Sequence, residues 1–327
     1  VALLIVIGFM LPGTSRIIVT AEIDAPAATV FAQLNDQRRA NLWSPVTAVD
    51  PNARIEFSGP ARGAGATITW DGTVAGSGTR TIVDSRPHDY IENLINAGEP
   101  GESRSRFELY PLPGGTRVDW TFEHDYGLNL VGRYFGVLIG GVIRRDNQSA
   151  LAELAALAES LPRTDWSGLE IERLLVEPLT IAYRTTTSAP DPTAMSEALG
   201  DAYFEVLAFI DENRLATAGA PLSIARSFSG ARLSFDAAIP VRNLTDATPK
   251  QSGDVRIGRT FGGTVIRVRH VGPYRTVVET HRKIAAYLAA LGIERGGDAW
   301  ESYVSDPTEV DDADLTTYVY YPVRDRP

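Results

Sequence analysis

The second half of the chain contains the same order of predicted elements twice, and this duplication limits the fold more than any other feature. Each copy predicts strand, helix, strand, strand: the first over 169–187, 192–215, 221–227 and 231–241, and the second over 264–270, 277–291, 300–305 and 316–323. The copies repeat after roughly 80 residues. Two such βαββ units side by side predict a module with approximate two-fold symmetry and a cleft between its halves.

A carboxylate lies among aromatic residues in the second copy, in the sequence Trp300-Glu301-Ser302-Tyr303. A desolvated cation over an aromatic ring gains about 2 kcal/mol, and a carboxylate adds Coulomb attraction. The matching strand of the first copy, 221–226, has no acidic residue. We therefore expect an asymmetric cleft with one carboxylate. The alternative is that Glu301 lies on the solvent face of an amphipathic strand.

Several motifs of this half occur in an order that resembles the GyrI-like effector-binding domain. They are HVGPY at 270–274, the helix that follows, WESY at 300–303, SDP at 305–307 and a last strand ending in YPV at 321–323. The resemblance covers about half of the chain. It implies that Glu301 lies at the floor of an aromatic cleft that takes cationic or amphipathic small molecules. The residues expected to line this cleft are Glu301, Trp300, Tyr303, Tyr274, Tyr183, Tyr203, Phe204 and Tyr318.

The first half predicts one strand, a short helical region, a meander of strands and a long helix. The strand is 16–23, the helical region begins near Pro26, the strands of the meander run from 55 to 123 with glycine turns between them, and the helical residues are 128–160. This is an α+β pattern. A cavity between sheet and helix is not visible in the pattern itself.

The motifs of this half resemble the START-like superfamily, also called SRPBCC or polyketide-cyclase-like. They are IDAPAATVF at 23–31, WSP at 43–45, GAGATITW at 63–70, GTRVDW at 115–120 and GRYFG at 132–136. The resemblance implies a helix-grip fold, in which a curved antiparallel sheet surrounds a long C-terminal helix, and a deep apolar cavity. The candidates for lining this second cavity, each with plain core packing as its alternative, are Trp43, Trp70, Trp120, Phe122, Tyr134 and Phe135.

Composition excludes several classes of function. The chain of 327 residues has a net charge of −10, which is the wrong sign for a nucleic-acid surface. It has no cysteine, so disulfides, thiolate catalysis and cysteine-based metal sites are excluded. Its four histidines show no metal-ligand spacing. We expect no metal and no cofactor.

The first 13 residues are read as a hydrophobic anchor. Val1 to Leu11 is uncharged and apolar, but 11 residues are too few to span a bilayer, which takes about 20. Because the chain begins with Val, we expect further apolar residues upstream that complete one membrane helix, on a side that the sequence does not fix. The alternatives are a cleaved signal peptide, a first β-strand and a soluble cytoplasmic protein.

The expected domains are therefore an anchor at 1–13, a START-like domain at 14–161, a linker at 162–168 and a GyrI-like domain at 169–327. This arrangement favours a membrane-tethered sensor or carrier of a hydrophobic or cationic amphipathic small molecule, with no nucleic-acid partner and an undetermined oligomeric state. The alternative is a hydrolase or cyclase that acts on a hydrophobic small molecule with Glu301 as general base.

Overall fold

A computed structural model describes residues 2–98, 101–245 and 251–324 of the chain. These residues form two compact units. The first runs through Ser167 and also includes Ala289–Leu291, and the second comprises Gly168–Leu288 with the residues from Gly292 onward. Each unit is mixed α+β with an antiparallel sheet, so the predicted fold class is confirmed.

The first unit is a seven-stranded sheet with three short helices between its first two strands and one helix at each end of the unit. Its elements are α1 (Ala2–Met10), β1 (Thr14–Ile23), α2 (Ala27–Leu34), α3 (Gln37–Ala40), α4 (Pro45–Val49), β2 (Arg54–Ser58), β3 (Thr67–Gly72), β4 (Gly76–Arg86), β5 (Tyr90–Asn96), β6 (Glu102–Leu112), β7 (Gly115–Asp125) and α5 (Leu130–Glu159). The strand order is β1-β7-β6-β5-β4-β3-β2.

The long helix α5 packs its last four turns against one face of this sheet. Its buried positions Asn147, Leu151, Leu154 and Ala158 recur at the spacing of one helix face. They pack with the inward-facing residues of the strands, which alternate with exposed ones along β6 and β7. The helix begins at Asn129, whose side chain accepts a hydrogen bond from the Gly132 N–H.

Helix α1 differs from one of the alternatives considered for the N-terminus, a first β-strand. The nine residues Ala2–Met10 form an α-helix against the start of α5. Arg133 of α5 donates to the carbonyls of Phe9 and Leu11, which satisfies acceptors at the C-terminal end of α1. Among the described residues, no helix combines the length and the apolarity needed to cross a bilayer.

The second unit contains the duplication. Its elements are β8 (Ile171–Val176), β9 (Thr180–Ser188), α6 (Pro192–Glu212), β10 (Ala216–Thr217), β11 (Leu222–Phe228), β12 (Leu233–Arg242), β13 (Gln251–Ser252), β14 (Val255–Arg259), β15 (Gly263–Val271), α7 (Val277–Leu291), β16 (Trp300–Tyr303) and β17 (Thr316–Pro322), with 3-10 turns at Tyr274–Thr276 and Asp312–Asp314.

The strand order shows the approximate two-fold symmetry that the repeat predicts. The order is β13-β14-β9-β12-β11-β16-β17-β15-β8, so β11 of the first copy pairs with β16 of the second at the centre. In addition, the strand that precedes each copy pairs with the other copy. β8 precedes the first copy but pairs with β15, and β14 precedes the second copy but pairs with β9. The repeating unit is therefore ββαββ, one strand longer than the sequence pattern indicated.

Chain connectivity requires this sheet to be strongly curved. Only residues 177–179 join β8 to β9, although six strand spacings separate these strands in the sheet. In a flat sheet six spacings amount to ~29 Å, whereas four residue steps of extended chain reach at most ~14 Å. The same holds for residues 260–262 between β14 and β15. The sheet must therefore roll up until its two ends approach each other.

The ends of the two helices follow from local sequence. Asp191 caps α6 by accepting hydrogen bonds from the N–H groups of Thr193 and Ala194, and Pro192 occupies the first helical turn. Gly292 ends α7 with a φ of 57°, a conformation that favours glycine. Local sequence therefore sets where α6 begins and where α7 ends.

Candidate functional site

The short strand β16 presents its side chains to both faces of the second sheet. Its register pairs Glu301 with Val319 and Tyr303 with Thr317 on β17. Since successive side chains of a strand point to opposite faces, Glu301 and Tyr303 share one face and Trp300 lies on the other. The face of Glu301 is the one covered by α7, because Val319 packs with Ile284 of that helix.

The Glu301 carboxylate is held by the imidazole of His281 and the hydroxyl of Tyr303. Its Oε1 lies 2.8 Å from Nε2 of His281 on α7, and its Oε2 accepts a 2.7 Å hydrogen bond from the Tyr303 hydroxyl. The His281 ring continues the chain through Nδ1, which lies 2.8 Å from the Tyr321 hydroxyl. Glu301 is only 13% exposed. The four side chains therefore form one connected hydrogen-bond network across β16, β17 and α7.

The network fixes the tautomer of His281 when the imidazole is neutral. An ionised carboxylate only accepts hydrogen bonds, so the proton of His281 must lie on Nε2, facing Glu301. Nδ1 is then an acceptor and the Tyr321 hydroxyl donates to it. Every group in the network has a complementary partner in this state, so the imidazole and the carboxylate are both held in one orientation.

Two further tyrosines lie close to this carboxylate. The Tyr274 ring meets the Tyr303 ring edge to face at 5.1 Å, and its hydroxyl lies 3.5 Å from the Ser305 carbonyl. Tyr203 of α6 donates to the Leu222 carbonyl at 2.9 Å. Burial raises the pKa of Tyr203, and the charge of Glu301 raises it further. The structure therefore brings together Glu301, Tyr303, Tyr274 and Tyr203 from the residues expected in the cleft.

Burial also raises the pKa of Tyr303 well above its usual range, and the neighbouring Glu301 charge acts in the same direction. The Tyr303 hydroxyl is therefore protonated at neutral pH and stays a hydrogen-bond donor to the carboxylate. In the described part of the chain, no Lys or Arg side chain forms an ion pair with Glu301. The basic side chain that contacts it is His281.

Trp300 is placed away from the carboxylate. Its indole stacks on Tyr320 with a centroid distance of 4.8 Å and packs among the apolar side chains of the opposite sheet face, with Tyr183 at its margin. Tyr318 belongs to this face as well and lies under the Arg267 guanidinium at 4.6 Å. A cavity of about 240 Å³ on this side is lined by Ile224, Arg226, Arg259, Thr260, Phe261, Asp298 and Trp300.

Phe204, which was expected in the cleft, lies at the surface of α6 with 76% of it exposed.

Two members of the network, His281 and Tyr321, were missed by sequence reasoning. The sequence did contain a signal for His281: it falls four residues after Val277 and three before Ile284, on the buried face of α7. Tyr321 follows Val319 by two residues and therefore shares its face.

The aromatic residues predicted to line the cavity of the first unit have different environments. Trp43, Trp70 and Trp120 are buried, and Trp43 meets Trp120 edge to face at 6.2 Å. Phe122 and Tyr134 are half-buried. Phe135, in contrast, is 51% exposed on α5, so the structure places it at the surface instead of the interior.

The first unit is a seven-stranded sheet packed against a long helix, and the second is a duplicated, rolled sheet. A family model described as polyketide cyclase / dehydrase and lipid transport matches residues 15–159. A second model, the GyrI-like small molecule binding domain, matches residues 170–324. The chain therefore joins a domain of the polyketide cyclase family to a domain of the GyrI-like family.

Solved structures with similar folds share little sequence with this chain. The C-terminal domain of EcmrR is 14% identical and covers 49% of this chain and 99% of its own, with a TM-score of 0.40. A hydrolase from Listeria innocua is 17% identical over 47% of this chain and 91% of its own, with a TM-score of 0.34. Aha1 from Colwellia psychrerythraea is 15% identical over 44% and 96%, with a TM-score of 0.33. No curated protein matches the chain.

Proposed function

We propose that the second domain binds a cationic amphipathic small molecule beside Glu301. The observation that carries the proposal is a largely buried carboxylate that is hydrogen-bonded by His281 and Tyr303 and that forms no ion pair with a Lys or Arg in the described part of the chain. A largely buried carboxylate without a Lys or Arg partner favours an incoming positive charge, because burial deprives it of solvation by water. The adjacent rings of Tyr274 and Tyr303 supply faces over which a cation can lie.

The network also explains how the site keeps its carboxylate ready for a ligand. Tyr303 and His281 each occupy one oxygen, while each carboxylate oxygen has a second lone-pair direction for another contact. The side chains therefore need little reorganisation when the ligand arrives, which lowers the entropic cost of binding. This role makes the protein a carrier or sensor, in which binding is not followed by turnover.

The test is calorimetric binding of tetraphenylphosphonium, a lipophilic aromatic cation, to the full chain. A unit charge about 5 Å from a carboxylate gains about 3 kcal/mol at an effective dielectric constant of 20. Part of this is offset by desolvation, so Glu301→Gln is expected to lose about 2 kcal/mol, a roughly thirtyfold weaker affinity. Gln keeps the size and an acceptor oxygen, so the loss reports the charge.

The matched control is Glu172→Gln, on β8 of the same sheet. Glu172 is exposed and pairs with Arg267, so its removal changes the net charge equally without touching the cleft. Its affinity for tetraphenylphosphonium is expected to stay within twofold of the unaltered protein. Equal losses in both variants would mean that only the net charge of the protein matters, and the proposal would fail.

A second candidate function is hydrolysis of a strained electrophile, favoured by the 2.8 Å contact between His281 and Glu301. Glu301 would take a proton from water, whose oxygen attacks a ring carbon of an epoxide while the carbon–oxygen bond of the ring breaks. The Tyr303 hydroxyl would protonate the departing oxygen, and the proton held by Glu301 would then pass to the Tyr303 oxygen, to which Glu301 is hydrogen-bonded. Water is added in total, and no cofactor is consumed.

The two functions differ in what Glu301→Gln leaves behind. Incubation with styrene oxide, followed by chromatography of the diol, is expected to show no enzyme-dependent product if the protein only binds ligands. Diol formation that disappears in Glu301→Gln, while tetraphenylphosphonium still competes for the site, would establish the hydrolase instead.

We also propose that the N-terminal helix tethers the protein to a membrane. Helix α1 is uncharged, and Phe9 and Met10 are 58% and 80% exposed. The adjoining part of α5 adds Leu138, which is 77% exposed. We expect the full chain to float with vesicles of phosphatidylcholine and phosphatidylglycerol, and Leu138→Asp to weaken this flotation. Phe204→Asp, a substitution at an equally exposed apolar residue of the second unit, is the control; equal flotation of both variants would oppose the proposal.

A further inference from the structure

The face of the second sheet that is opposite to Glu301 has a cavity that the proposed function does not use. Its volume is about 240 Å³. This corresponds to about eight water molecules at roughly 30 Å³ each. Pockets that hold drug-sized molecules usually exceed about 300 Å³. The cavity therefore suits a compact ligand of about one or two rings.

The buried part of the cavity wall is apolar and mostly aromatic. The Trp300 indole is nearly parallel to the Tyr320 ring, with centroids 4.8 Å apart, so Tyr320 covers one face of the indole. The Phe261 ring lies 6.4 Å from the indole and is tilted by 41°. Ile224 is buried in the same apolar cluster as Trp300. These side chains offer an aromatic ligand a flat apolar contact.

The acidic groups at this cavity already have a cationic partner. Arg226 of β11 donates from Nε to Asp236 at 2.7 Å and from Nη1 to Asp298 at 2.7 Å. Asp236 is 1% exposed and also accepts a hydrogen bond from the Thr185 hydroxyl. Because both carboxylates are engaged by the same guanidinium, neither requires a cation from a ligand.

A second arginine that lines the cavity, Arg259, has no such partner. It is exposed at the end of β14, and within residues 2–98, 101–245 and 251–324 no Asp or Glu forms an ion pair with it. The adjoining residue is fixed on both sides of its peptide, because Thr260 donates from its backbone N–H to the Leu179 carbonyl at 2.9 Å and accepts at its hydroxyl from the Leu179 N–H at 2.8 Å. Arg259 therefore extends from a fixed point of the backbone and has an unused positive charge.

We infer that this cavity binds a small aromatic carboxylate, whose ring lies against Trp300 and Phe261 and whose carboxylate pairs with Arg259. The planar guanidinium matches the two oxygens of a carboxylate. Because Asp298 also lines the cavity, a second negative charge on the ligand would be repelled, and a monoanion is favoured. This site lies on the sheet face opposite to Glu301 and takes the opposite charge, so it goes beyond the proposed function and does not depend on it.

The test compares cinnamate with its uncharged amide, cinnamamide, by isothermal titration calorimetry on the full chain. The quantity of interest is the ratio of the two affinities, because a packing defect would weaken both ligands together. We expect the unaltered protein to prefer cinnamate about fivefold, which is near the upper end of what an exposed ion pair contributes. Arg259→Gln is expected to bring the ratio close to one, and Arg259→Lys to retain part of the preference. Phe261→Leu should weaken both ligands and leave the ratio as it is.

Three further variants locate the charge that the ligand meets. Arg256→Gln removes an exposed arginine of the same strand that does not line the cavity, and it is expected to leave the ratio unchanged. Glu301→Gln should also leave it unchanged, so failure of one proposal does not imply failure of the other. Asp298→Asn should strengthen cinnamate binding, because it removes a negative charge from the wall.

Three results would overturn the inference. The first is equal affinity of the unaltered protein for cinnamate and cinnamamide, since the cavity would then not select a charge. The second is an equal change of the ratio in Arg256→Gln and Arg259→Gln, which would mean that only the net charge of the protein matters. The third is weaker cinnamate binding in Asp298→Asn, which is the wrong sign for an anion in this cavity.

Discussion

Replacing Trp300 by Ala tests whether the two faces of β16 have separate roles. Trp300 is adjacent to Glu301 in sequence, but it is 7% exposed, stacks on Tyr320 and lies on the opposite sheet face. Truncating a buried Trp to Ala costs about 3–5 kcal/mol, part of which is the lost contact with the stacked ring. With a denaturant slope of about 2 kcal/mol/M, the urea midpoint should fall by roughly 2 M.

The same substitution should leave ligand binding intact under native conditions. The cavity beside Trp300 contains Arg226 and Arg259 together with Asp298, so it does not suit a cation. We therefore expect Trp300→Ala to bind tetraphenylphosphonium within about threefold of the unaltered protein, while Glu301→Gln shows the reverse, weak binding with a nearly unchanged midpoint.

The assay is urea unfolding followed by circular dichroism, together with calorimetric binding at low urea. Because two domains can unfold in separate transitions, Trp300→Ala should shift only one of them. A tenfold or larger loss of tetraphenylphosphonium affinity in a variant that is still folded would place the indole in the ligand site. That result would refute the assignment of Trp300 and Glu301 to different functions.

Three further predictions concern stability and pH. Gly78→Ala should destabilise the first domain by about 1–3 kcal/mol in urea unfolding, because the added Cβ would overlap the Trp70 ring, whereas Gly140→Ala on α5, where a Cβ meets nothing, should not. Burial lowers the pKa of His270 below its ordinary value of 6.5, so the neutral imidazole stabilises the folded state fully above pH 6.5 and this contribution is lost as the pH falls. The urea midpoint should therefore fall less steeply between pH 7.5 and pH 5 in His270→Gln than in the unaltered protein. Since burial raises the pKa of Tyr303, the folded state should lose stability above about pH 10. At that pH, absorbance at 295 nm should show fewer tyrosinates in the folded protein than in the unfolded chain. This difference should be smaller in Tyr303→Phe.

Much of the second domain was predictable because its signals are local. Hydrophobic period and turn residues placed both helices and the strands of both copies, and the repeat predicted their symmetric pairing. The exchange of β8 and β14 between the copies was not predictable in this way. It depends on the curvature of the whole sheet, which brings together edges that lie far apart in a flat arrangement.

Local signals likewise identified only part of the candidate site. The sequence identified Glu301 and its aromatic neighbours, and strict alternation along a strand already implies that Trp300 and Tyr303 face opposite sides. It did not identify His281, because helical spacing places that residue on the inner face of α7 but does not say which strand the helix will pack over. That packing sets the 2.8 Å contact with a carboxylate 20 residues away.

What the sequence by itself determined is the order of elements, the duplication, the single acidic residue of the second copy and the two families to which its halves belong. Tertiary structure alone decided which charges keep a partner. Glu301 looks like any strand glutamate by its type, and only the folded sheet, covered by α7, leaves it 13% exposed beside His281 and Tyr303. Burial and partnering depend on residues distant along the chain, so the motif marked Glu301 but its partners and its exposure were decided only in three dimensions.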